Sequence, residues 1–325
     1  MSDILSKLYN EYVVTGNIPG SSSHWKEYSS QFVFELDDDG VPVMMRGFGF
    51  GDVEAKEGLW NLRSRTMVTP ARRLLRRKLA QELLSLVRTI VSPFALKNWG
   101  LVRAGKNVTH AMGLAYAQDA WRQAMTLALL KDHGVIPEPP GVVMVIGDGY
   151  GLLSGLIHRV YPSVRVVTVD LGPTLCFQVS GLQRAFPDAR HVLINDEADA
   201  LDWDFLYVPA ERINEIPDSP LSLSVNVASM QEMTPKTVAA YFAFMRNRGV
   251  RHFYCCNREK KVLVGGEVSA FKDYPWSRED VHLVDAVCPW HRYSLDYGIR
   301  KKGPYILGLG VPFVNHFNVV RHRLT

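Results

Sequence analysis

The sequence predicts an α/β fold, in which a doubly wound and mainly parallel sheet follows a helical N-terminal region. Short runs of apolar residues, many of them β-branched, recur through the second half of the chain, and helical stretches separate them. Strands that are buried on both faces and joined by helices form parallel sheets. Three glycines follow the first of these runs, at the turn where such sheets bind ligands: Gly147, Gly149 and Gly151.

Composition bounds the class of protein. With 325 residues, of which 47% are apolar and 22% charged, the chain can bury a large core. The net charge of +4 is mild and by itself argues neither for nor against nucleic acid as a partner. The first residues lack the features of a signal peptide, and no apolar run has the length of about 18 residues that a membrane span needs. We therefore expect a cytoplasmic protein without a transmembrane segment. The four cysteines lack zinc-site spacing and are expected to be reduced and buried: Cys176, Cys255, Cys256 and Cys288.

The N-terminal half contains two predicted helices. The first 65 residues show no regular pattern, and a helix then begins at Thr69-Pro70 and ends at Pro93. Its apolar face consists of Leu75, Leu79, Leu83, Val87 and Ile90. Four arginines lie largely off this face: Arg72, Arg73, Arg76 and Arg77. They suit a solvated helix face, the phosphates of a nucleotide-sugar or lipid-linked sugar, or an acidic membrane surface.

A second helix is predicted from about Val108 to Lys131, with Gly134 as the residue that follows its end. The stretch IPEPPG then interrupts all periodicity, and we place a domain boundary at residues 134–141. Residues 1–135 are expected to form a mostly helical region that covers the ligand site as a lid. Residues 136–325 are expected to form the sheet domain.

The sheet domain contains six predicted strands. Later strands alternate more strongly between apolar and polar residues, as an antiparallel edge pair would. The runs are VVMVI (142–146), VRVVTVD (164–170), HVLIN (191–195), LSLSVNV (221–227), RHFYCCN (251–257) and PFVNHFNVVRHR (312–323).

The glycine turn limits which cofactor fits. A dinucleotide fingerprint, G-x-G-x-x-G, would need glycine at position 152 or 154, where the chain has Leu152 and Ser154. The observed G-x-G-x-G suits S-adenosylmethionine better, because that cofactor has no pyrophosphate. Asp170, at the end of the second strand, can accept ribose hydroxyls of either cofactor. Asn195 and Asp196, after the third strand, could meet an adenine amino group or form a local turn.

These segments resemble a known enzyme family. VIGDGYG (145–151), VVTVD (166–170), NVASMQEM (226–233) and YCCN (254–257) make residues 136–258 similar to class I S-adenosylmethionine-dependent methyltransferases. The resemblance is closest to the bacterial family of sugar O-methyltransferases. It implies a Rossmann-like fold, S-adenosylmethionine as cofactor, and methylation of a sugar hydroxyl on a nucleotide-sugar or glycan intermediate. The family usually has an acidic residue where this chain has Val145, and Asp148 is the polar candidate to replace it.

The resemblance also selects candidate site residues. The expected cofactor-binding residues are Gly147, Asp148, Gly149, Tyr150, Gly151, Asp170, Leu171, Asn195, Asp196 and Asn226. A sugar hydroxyl must lose a proton, and His291 in PWHRY is the first candidate base, with Glu232 as the second. Ser229 to Glu232 also reads as a capping box, which would make Glu232 structural. The other histidine candidates are His24, His110 and His316. No H-x-H or D-x-D cluster predicts a metal site, although metal dependence stays open.

Three alternatives remain. The first is an O- or N-methyltransferase with a non-sugar acceptor. The second is a non-catalytic Rossmann-like binding protein, which Val145 favours. The third is a nicotinamide oxidoreductase, which Leu152 and Ser154 oppose. The expected partner is a small-molecule or glycan acceptor, with no nucleic acid. A homo-oligomer is compatible with the sequence, which does not determine the oligomeric state.

Overall fold

The computed structural model describes residues 3–16, 18–29, 32–36, 38, 42–46, 59–61, 66–67, 71–114, 116–139, 141–194, 203–290, 305–306, 309–310 and 319–325. The helices are α1 (Asp3–Leu8), α2 (Ser23–Ser29), α3 (Ala71–Ile90), α4 (Pro93–Lys97), α5 (Trp99–Ala111), α6 (Gln118–Asp132), α7 (Leu152–Val160), α8 (Gly172–Ala185) and α9 (Pro235–Asn247). A π-helical segment, Tyr9–Val14, continues α1, and 3₁₀ turns occur at Ala210–Glu215, Met230–Glu232 and Phe271–Asp273.

Sixteen strands are described. They are β1 (Val33–Leu36), β2 (Pro42–Arg46), β3 (Leu59–Asn61), β4 (Thr66–Met67), β5 (Val142–Ile146), β6 (Arg165–Asp170), β7 (His191–Leu193), β8 (Phe205–Pro209), β9 (Leu221–Val227), β10 (His252–Arg258), β11 (Lys260–Val262), β12 (Val268–Ala270), β13 (Val284–Val287), β14 (Tyr305–Ile306), β15 (Leu309–Gly310) and β16 (Val320–Leu324).

Eight strands form the central sheet, in the order β13-β16-β10-β9-β5-β6-β8-β7. Strands β10, β9, β5, β6, β8 and β7 are parallel, whereas β16 is antiparallel to both of its neighbours. The predicted doubly wound, mainly parallel sheet with an antiparallel edge is therefore confirmed. The chain leaves β5 toward β6 and later returns to β9 on the other side, so the strand order reverses between β5 and β9. Ligands bind at such a reversal, outside the carboxyl ends of the strands.

Both faces of the sheet are covered. All five residues of β5 are buried, and they alternate between two apolar clusters. Val143 and Val145 face a cluster built with α5, α6, α7 and α8, whereas Met144 and Ile146 face one built with α9. Helices α5 and α6 thus share a core with the sheet that follows residue 135. The division into two domains stays a prediction.

The order of strands differs from the prediction at one end of the sheet. HVLIN was expected to be the third strand, but β7 lies at the sheet edge, and β8 pairs with β6 in its place. The five residues of β8 are fully buried, while His191 and Val192 of β7 are partly exposed. Burial on both faces explains why the more apolar segment, FLYVP, occupies the inner position.

The N-terminal half also departs from expectation. Strands β1 to β4 form a small antiparallel sheet within residues predicted to be irregular. The helix predicted from Val108 to Lys131 is two helices, α5 and α6, because the backbone turns at Gly113, which has a φ of +79°. Gly134, predicted to follow the helix end, has a φ of +65°. The four cysteines are free and buried, as predicted.

Helix α3 forms as predicted, but its predicted apolar face points outward. Leu79 and Leu83 are 61% and 52% exposed, and Ile90 is 57% exposed. The buried face carries Ser85 and Thr89 instead. Among the described residues, no helix combines the length and the apolar character that crossing a membrane requires.

Candidate functional site

A cleft opens at the carboxyl edge of the sheet, at the reversal between β5 and β9. The free volume, counted out to the open mouth and including solvent-filled space, is about 970 Å³. The lining comes from the turn after β5, the ends of β6, β8 and β9, helix α9 and the N-terminal segment 19–25. Of the expected cofactor-binding residues, Gly147, Gly149, Asp170 and Leu171 line it.

The turn after β5 depends on its glycines. Gly147, Gly149 and Gly151 have φ angles of +72°, +63° and +79°, in the left-handed region that other residues avoid. A Cβ atom on Gly147 would also lie 2.1 Å from Ser229 Oγ. The amide of Gly147 donates to the carbonyl of Val169 at 2.8 Å, which ties the turn to β6. Bare backbone is therefore required for the turn to lie between β6 and β9.

Asp148 points away from the cleft and caps helix α7. Its Oδ1 accepts from the amide of Leu153 at 3.1 Å, and its Oδ2 accepts from the amide of Ser154 at 2.7 Å. Burial raises the pKa of Asp148 to about 6, although the hydrogen bonds from Ser154 and Leu153 oppose this shift. The first amides of α7 thus have an internal carboxylate as their partner. Asp148 was expected to contact the cofactor; in the structure both of its carboxylate oxygens accept from amides of α7, and it is not a lining residue of the cleft.

Asp170 lies at the end of β6 on the wall of the cleft. Its Oδ2 accepts from the Gly149 amide at 3.2 Å and from Gln178 Nε2 at 2.7 Å, and its Oδ1 accepts from the Leu171 amide at 2.8 Å. Burial raises the pKa of Asp170 to about 7; the two backbone amides lower it, and the charges of Asp148 and Glu232 raise it. A carboxylate has about four acceptor positions. Three are used, so one remains for a ligand.

A further polar group in the cleft has no partner. Thr174, in the first turn of α8, lines the cleft and is 1% exposed, and its hydroxyl has no hydrogen-bond partner among the described residues. The Oε1 of Gln178, next to Asp170, is likewise buried and unpartnered there. Buried polar groups are usually satisfied. An orphan hydroxyl beside Asp170 therefore fits a ligand that brings its own hydroxyls.

Asn226 supports the cleft from behind. Its Nδ2 donates to the Ile146 carbonyl at 2.9 Å and to Ser229 Oγ at 2.5 Å, and its Oδ1 accepts from the Met230 amide and from Asn257 Nδ2. These four bonds use the whole hydrogen-bonding capacity of an amide. The side chain is fully buried and does not line the cleft. Asn226 therefore positions the end of β9, which differs from the expected contact with the cofactor.

Glu232 lies on the wall of the cleft in a charged cluster. Its Oε1 accepts from Lys261 Nζ at 2.7 Å and lies 3.6 Å from His24 Nε2, beyond hydrogen-bond distance. Burial acts to raise the pKa of Glu232, but the adjacent His24 and Lys261 outweigh it, and the net shift is downward. Ser229 caps no amide with its side chain. The capping-box interpretation is therefore wrong, and Thr234 caps α9 instead.

The N-terminal segment forms the roof of the cleft. Pro19, Gly20, Ser21, Ser22 and Trp25 line it. We call residues 18–25 the roof segment. Ser22 Oγ donates to the Glu232 carbonyl at 2.5 Å, and Ser23 Oγ donates to Glu267 Oε2 at 2.8 Å. The roof segment is thus bonded to the 3₁₀ turn after β9 and to the loop between β11 and β12.

Several lining residues gave no sequence signal. Ala210, Glu211 and Ile213 follow β8, the strand that was not predicted. Ala228 follows β9 with a φ of +59°, which costs about 1–2 kcal/mol for a residue with a Cβ. Strain of this kind concentrates at functional sites. A left-handed alanine cannot be read from the sequence, because alanine rarely adopts that conformation.

The remaining expected residues lie elsewhere. Tyr150 packs edge-on against Phe177 in the core, and Gly151 begins α7 against Leu182. His110 contacts Glu82 at 2.7 Å and does not line the cleft. Trp290, in the PWHRY segment that precedes His291, stacks on Phe94 in the core. Four expected residues lie outside the described part of the chain: Asn195, Asp196, His291 and His316.

No metal centre is found within the described ranges, where no group of three or more His, Cys, Asp or Glu side chains could hold an ion. The part of the chain between β13 and β16 is mostly outside those ranges. Because β13 ends and β16 begins at the carboxyl edge of the sheet, the segment that carries His291 leaves and returns at the edge where the cleft lies.

Comparison with known proteins gives structural likeness alone. No family model matches the chain, and no curated protein matches it. A cyclopropane-fatty-acyl-phospholipid synthase-like protein from Lactobacillus casei ATCC 334 is similar with a TM-score of 0.32 and 17% identity, over 47% of this chain and 58% of that one. The mycolic acid cyclopropane synthase CmaA1, in complex with SAH and CTAB, has a TM-score of 0.30 and 15% identity, over 44% of this chain and 45% of that one. The methyltransferase CalO6 has a TM-score of 0.32 and 13% identity, over 61% of this chain and 60% of that one. The chain thus spans less than two thirds of each, and likeness at this level carries no functional argument.

Proposed function

We propose that this protein is an S-adenosylmethionine-dependent O-methyltransferase that acts on a sugar hydroxyl of a nucleotide-sugar or glycan intermediate. One observation carries the choice of cofactor: the turn after β5 and Asp170 at the end of β6 meet in one cleft, while the amides of α7 are already capped by Asp148. The choice of a sugar as acceptor rests on the resemblance of NVASMQEM (226–233) to sugar O-methyltransferases and on the groups that surround the cleft.

The capped helix argues against a dinucleotide. Dinucleotides place their pyrophosphate on the free amides of the helix that follows the first strand. Here those amides donate to Asp148, so a pyrophosphate would meet a carboxylate instead of open donors. S-adenosylmethionine brings no phosphate to this position and avoids the repulsion. This contrast favours methyl transfer over nicotinamide chemistry.

The residues present fit S-adenosylmethionine. Asp170 has one free acceptor position and Thr174 has an unpartnered hydroxyl, so together they would hold the two ribose hydroxyls. Gly147 and Gly149 leave the floor of the cleft without side chains, where the amino-acid end would lie. When bound, this cofactor supplies an activated methyl group. Asn195 and Asp196 remain predicted neighbours of the adenine.

Proton removal is assigned to the cluster at Glu232. An ionised carboxylate that is paired with Lys261 and has a lowered pKa is a weak base for an alcohol. The His24 imidazole, whose Nε2 lies 3.6 Å from Glu232 Oε1, is the better acceptor of the proton, and Glu232 would stabilise the imidazolium that forms. His24 stands next to the lining residue Trp25 and is not itself among the residues that line the cleft. The roof segment that carries His24 would exclude water from the reaction. His291 stays a competing prediction.

Calorimetry with S-adenosylmethionine and NAD side by side tests the cofactor. We expect binding of S-adenosylmethionine alone, and weakening of that binding in Asp170→Asn. Asp188→Asn is the matched control, because it makes the same substitution at an exposed position outside the cleft. Binding of NAD alone, or equal affinity in both variants, would reject the assignment.

A panel of acceptors tests whether the methyl acceptor is a sugar hydroxyl. Nucleotide-sugars, free glycans, catechols and primary amines are compared by transfer of a labelled methyl group. Turnover with catechols or amines alone would favour the non-sugar methyltransferase. Tight cofactor binding with no transfer to any acceptor class would favour a binding protein, the alternative that Val145 suggests.

A further inference from the structure

Helices α3 to α5 present an apolar surface to solvent. Its residues are 43–73% exposed, and we call them the apolar face: Leu79, Leu83, Leu86, Val87, Ile90, Val91, Leu96 and Trp99. In α3 they follow helical spacing and so occupy one side of the helix. Contiguous exposed apolar surface of this kind marks an interaction site.

The orientation of α3 is fixed by polar contacts on its opposite side. Ser85 Oγ donates to the Tyr116 carbonyl at 3.1 Å, and Trp121 Nε1 donates to Thr89 Oγ1 at 3.0 Å. Glu82 Oε2 lies 2.6 Å from Lys106 Nζ. Turning the apolar face inward would break these bonds and bury unpaired polar groups, which costs about 1–3 kcal/mol for each group. The apolar face is therefore held outward by the fold.

The same segment is strongly basic. Residues 71–117 contain nine Lys and Arg and one acidic residue, Glu82, which gives a net charge of +8. Since the whole chain has a charge of +4, the rest of it carries −4. Such asymmetry, on one stretch that also exposes leucines, needs a partner that is both apolar and anionic.

We propose that the apolar face docks on the surface of an anionic lipid bilayer. Leucines that enter the acyl boundary and basic residues that meet anionic headgroups are the two contributions that hold a helix in a membrane interface. Trp99, which belongs to the apolar face, is a residue type enriched at membrane–water interfaces. A second copy of this chain fits poorly, because pairing by two-fold symmetry would bring two segments of charge +8 together. The inference is independent of the proposed methyl transfer.

Co-sedimentation of the full chain with vesicles tests this docking. We expect binding to vesicles of phosphatidylcholine with phosphatidylglycerol, little binding to phosphatidylcholine alone, and weakening as NaCl is raised. The variant Leu83→Ser/Val87→Ser/Ile90→Ser should bind at least tenfold more weakly. The variant Arg72→Gln/Arg73→Gln/Arg76→Gln/Arg77→Gln should do the same, since each basic residue contributes about fivefold.

The matched control places the same loss of apolar surface elsewhere. Val262, Val264 and Val281 are 61%, 65% and 74% exposed and lie outside the apolar face, so their triple serine variant should bind vesicles like the wild type. Absent binding, equal binding to both vesicle types, or an unaffected Leu83/Val87/Ile90 variant would each overturn the proposal. So would sedimentation velocity showing a wild-type dimer that this variant converts to monomer, because the face would then be a self-interface.

Discussion

The affinity for S-adenosylmethionine should depend on pH through Asp170. Burial holds its pKa near 7, and only the ionised form is a charged acceptor for a ribose hydroxyl. A carboxyl of that pKa is roughly one-tenth ionised at pH 6 and nine-tenths at pH 8. Because binding needs the ionised form, we expect the association constant to rise by about tenfold over this interval and then level off.

The variant Asp170→Asn gives the size of the contact. It keeps one acceptor oxygen but loses the charge, and the geometry leaves one position for the ligand. One charge-assisted hydrogen bond is worth about 1.5–3 kcal/mol, so affinity at pH 8 should fall by roughly 10- to 150-fold. The pH dependence should disappear, apart from any titration of the ligand itself, which this variant measures directly.

Isothermal titration calorimetry at pH 6, 7 and 8 measures both effects, and repeating it in buffers of different ionisation enthalpy counts the proton released. The melting temperature of each variant shows whether the fold is kept. A flat wild-type profile, or the same slope in Asp170→Asn, would refute the role of Asp170. Asp148 and Glu232 raise the pKa of Asp170, so Asp148→Asn should shift the midpoint to lower pH.

Three further predictions concern catalysis and folding. His24→Gln and Glu232→Gln should each lower turnover, the first by about 10²–10⁴-fold, while the affinity for the cofactor is kept. His110→Gln is the control. Normal turnover in His24→Gln together with loss of turnover in His291→Ala would assign proton removal to His291. Gly147→Ala should lower the free energy of unfolding in urea more than Gly134→Ala does. Both glycines have a positive φ, but only at Gly147 would the added Cβ atom meet Ser229. Equal losses of unfolding free energy would contradict this. A chain that starts at Pro137 should show no cooperative melting, since it lacks the buried Met125, Leu127 and Leu130 of α6; a sharp transition would contradict the shared core.

The sequence predicted the parts of the cleft that depend on local order. The turn after β5 follows directly from the spacing of its glycines, and Asp170 from its place at a strand end. Both are properties of a few adjacent residues. Strand β8 was not predicted, although FLYVP is as long as VVMVI of β5. Its inner position depends on how well it covers β6 compared with β7.

Other parts depend on contacts between distant residues. Glu232 reads as a capping residue in isolation, because Ser229 stands three positions before it. In the fold, the Ser229 hydroxyl is held by Asn226 and the Ile146 carbonyl, and Glu232 is left to pair with Lys261. Helix α3 shows the same limit. Its leucines outnumber its hydroxyl residues, yet the hydrogen bonds of Ser85 and Thr89 set which side faces the core.

The roof segment has a consequence for synthesis in the cell. Ser22 and its partner Glu232 are 210 positions apart, and Ser23 is bonded to Glu267, later still. At about 5–20 residues per second, the ribosome needs roughly 10–50 s after making the roof segment to supply its partners. Leu5, Leu8 and Tyr12 can become buried earlier, because the segment that carries them packs on α8, which is made before Glu232. The roof segment can therefore be fixed over the cleft only after Glu232 and Glu267 have been made.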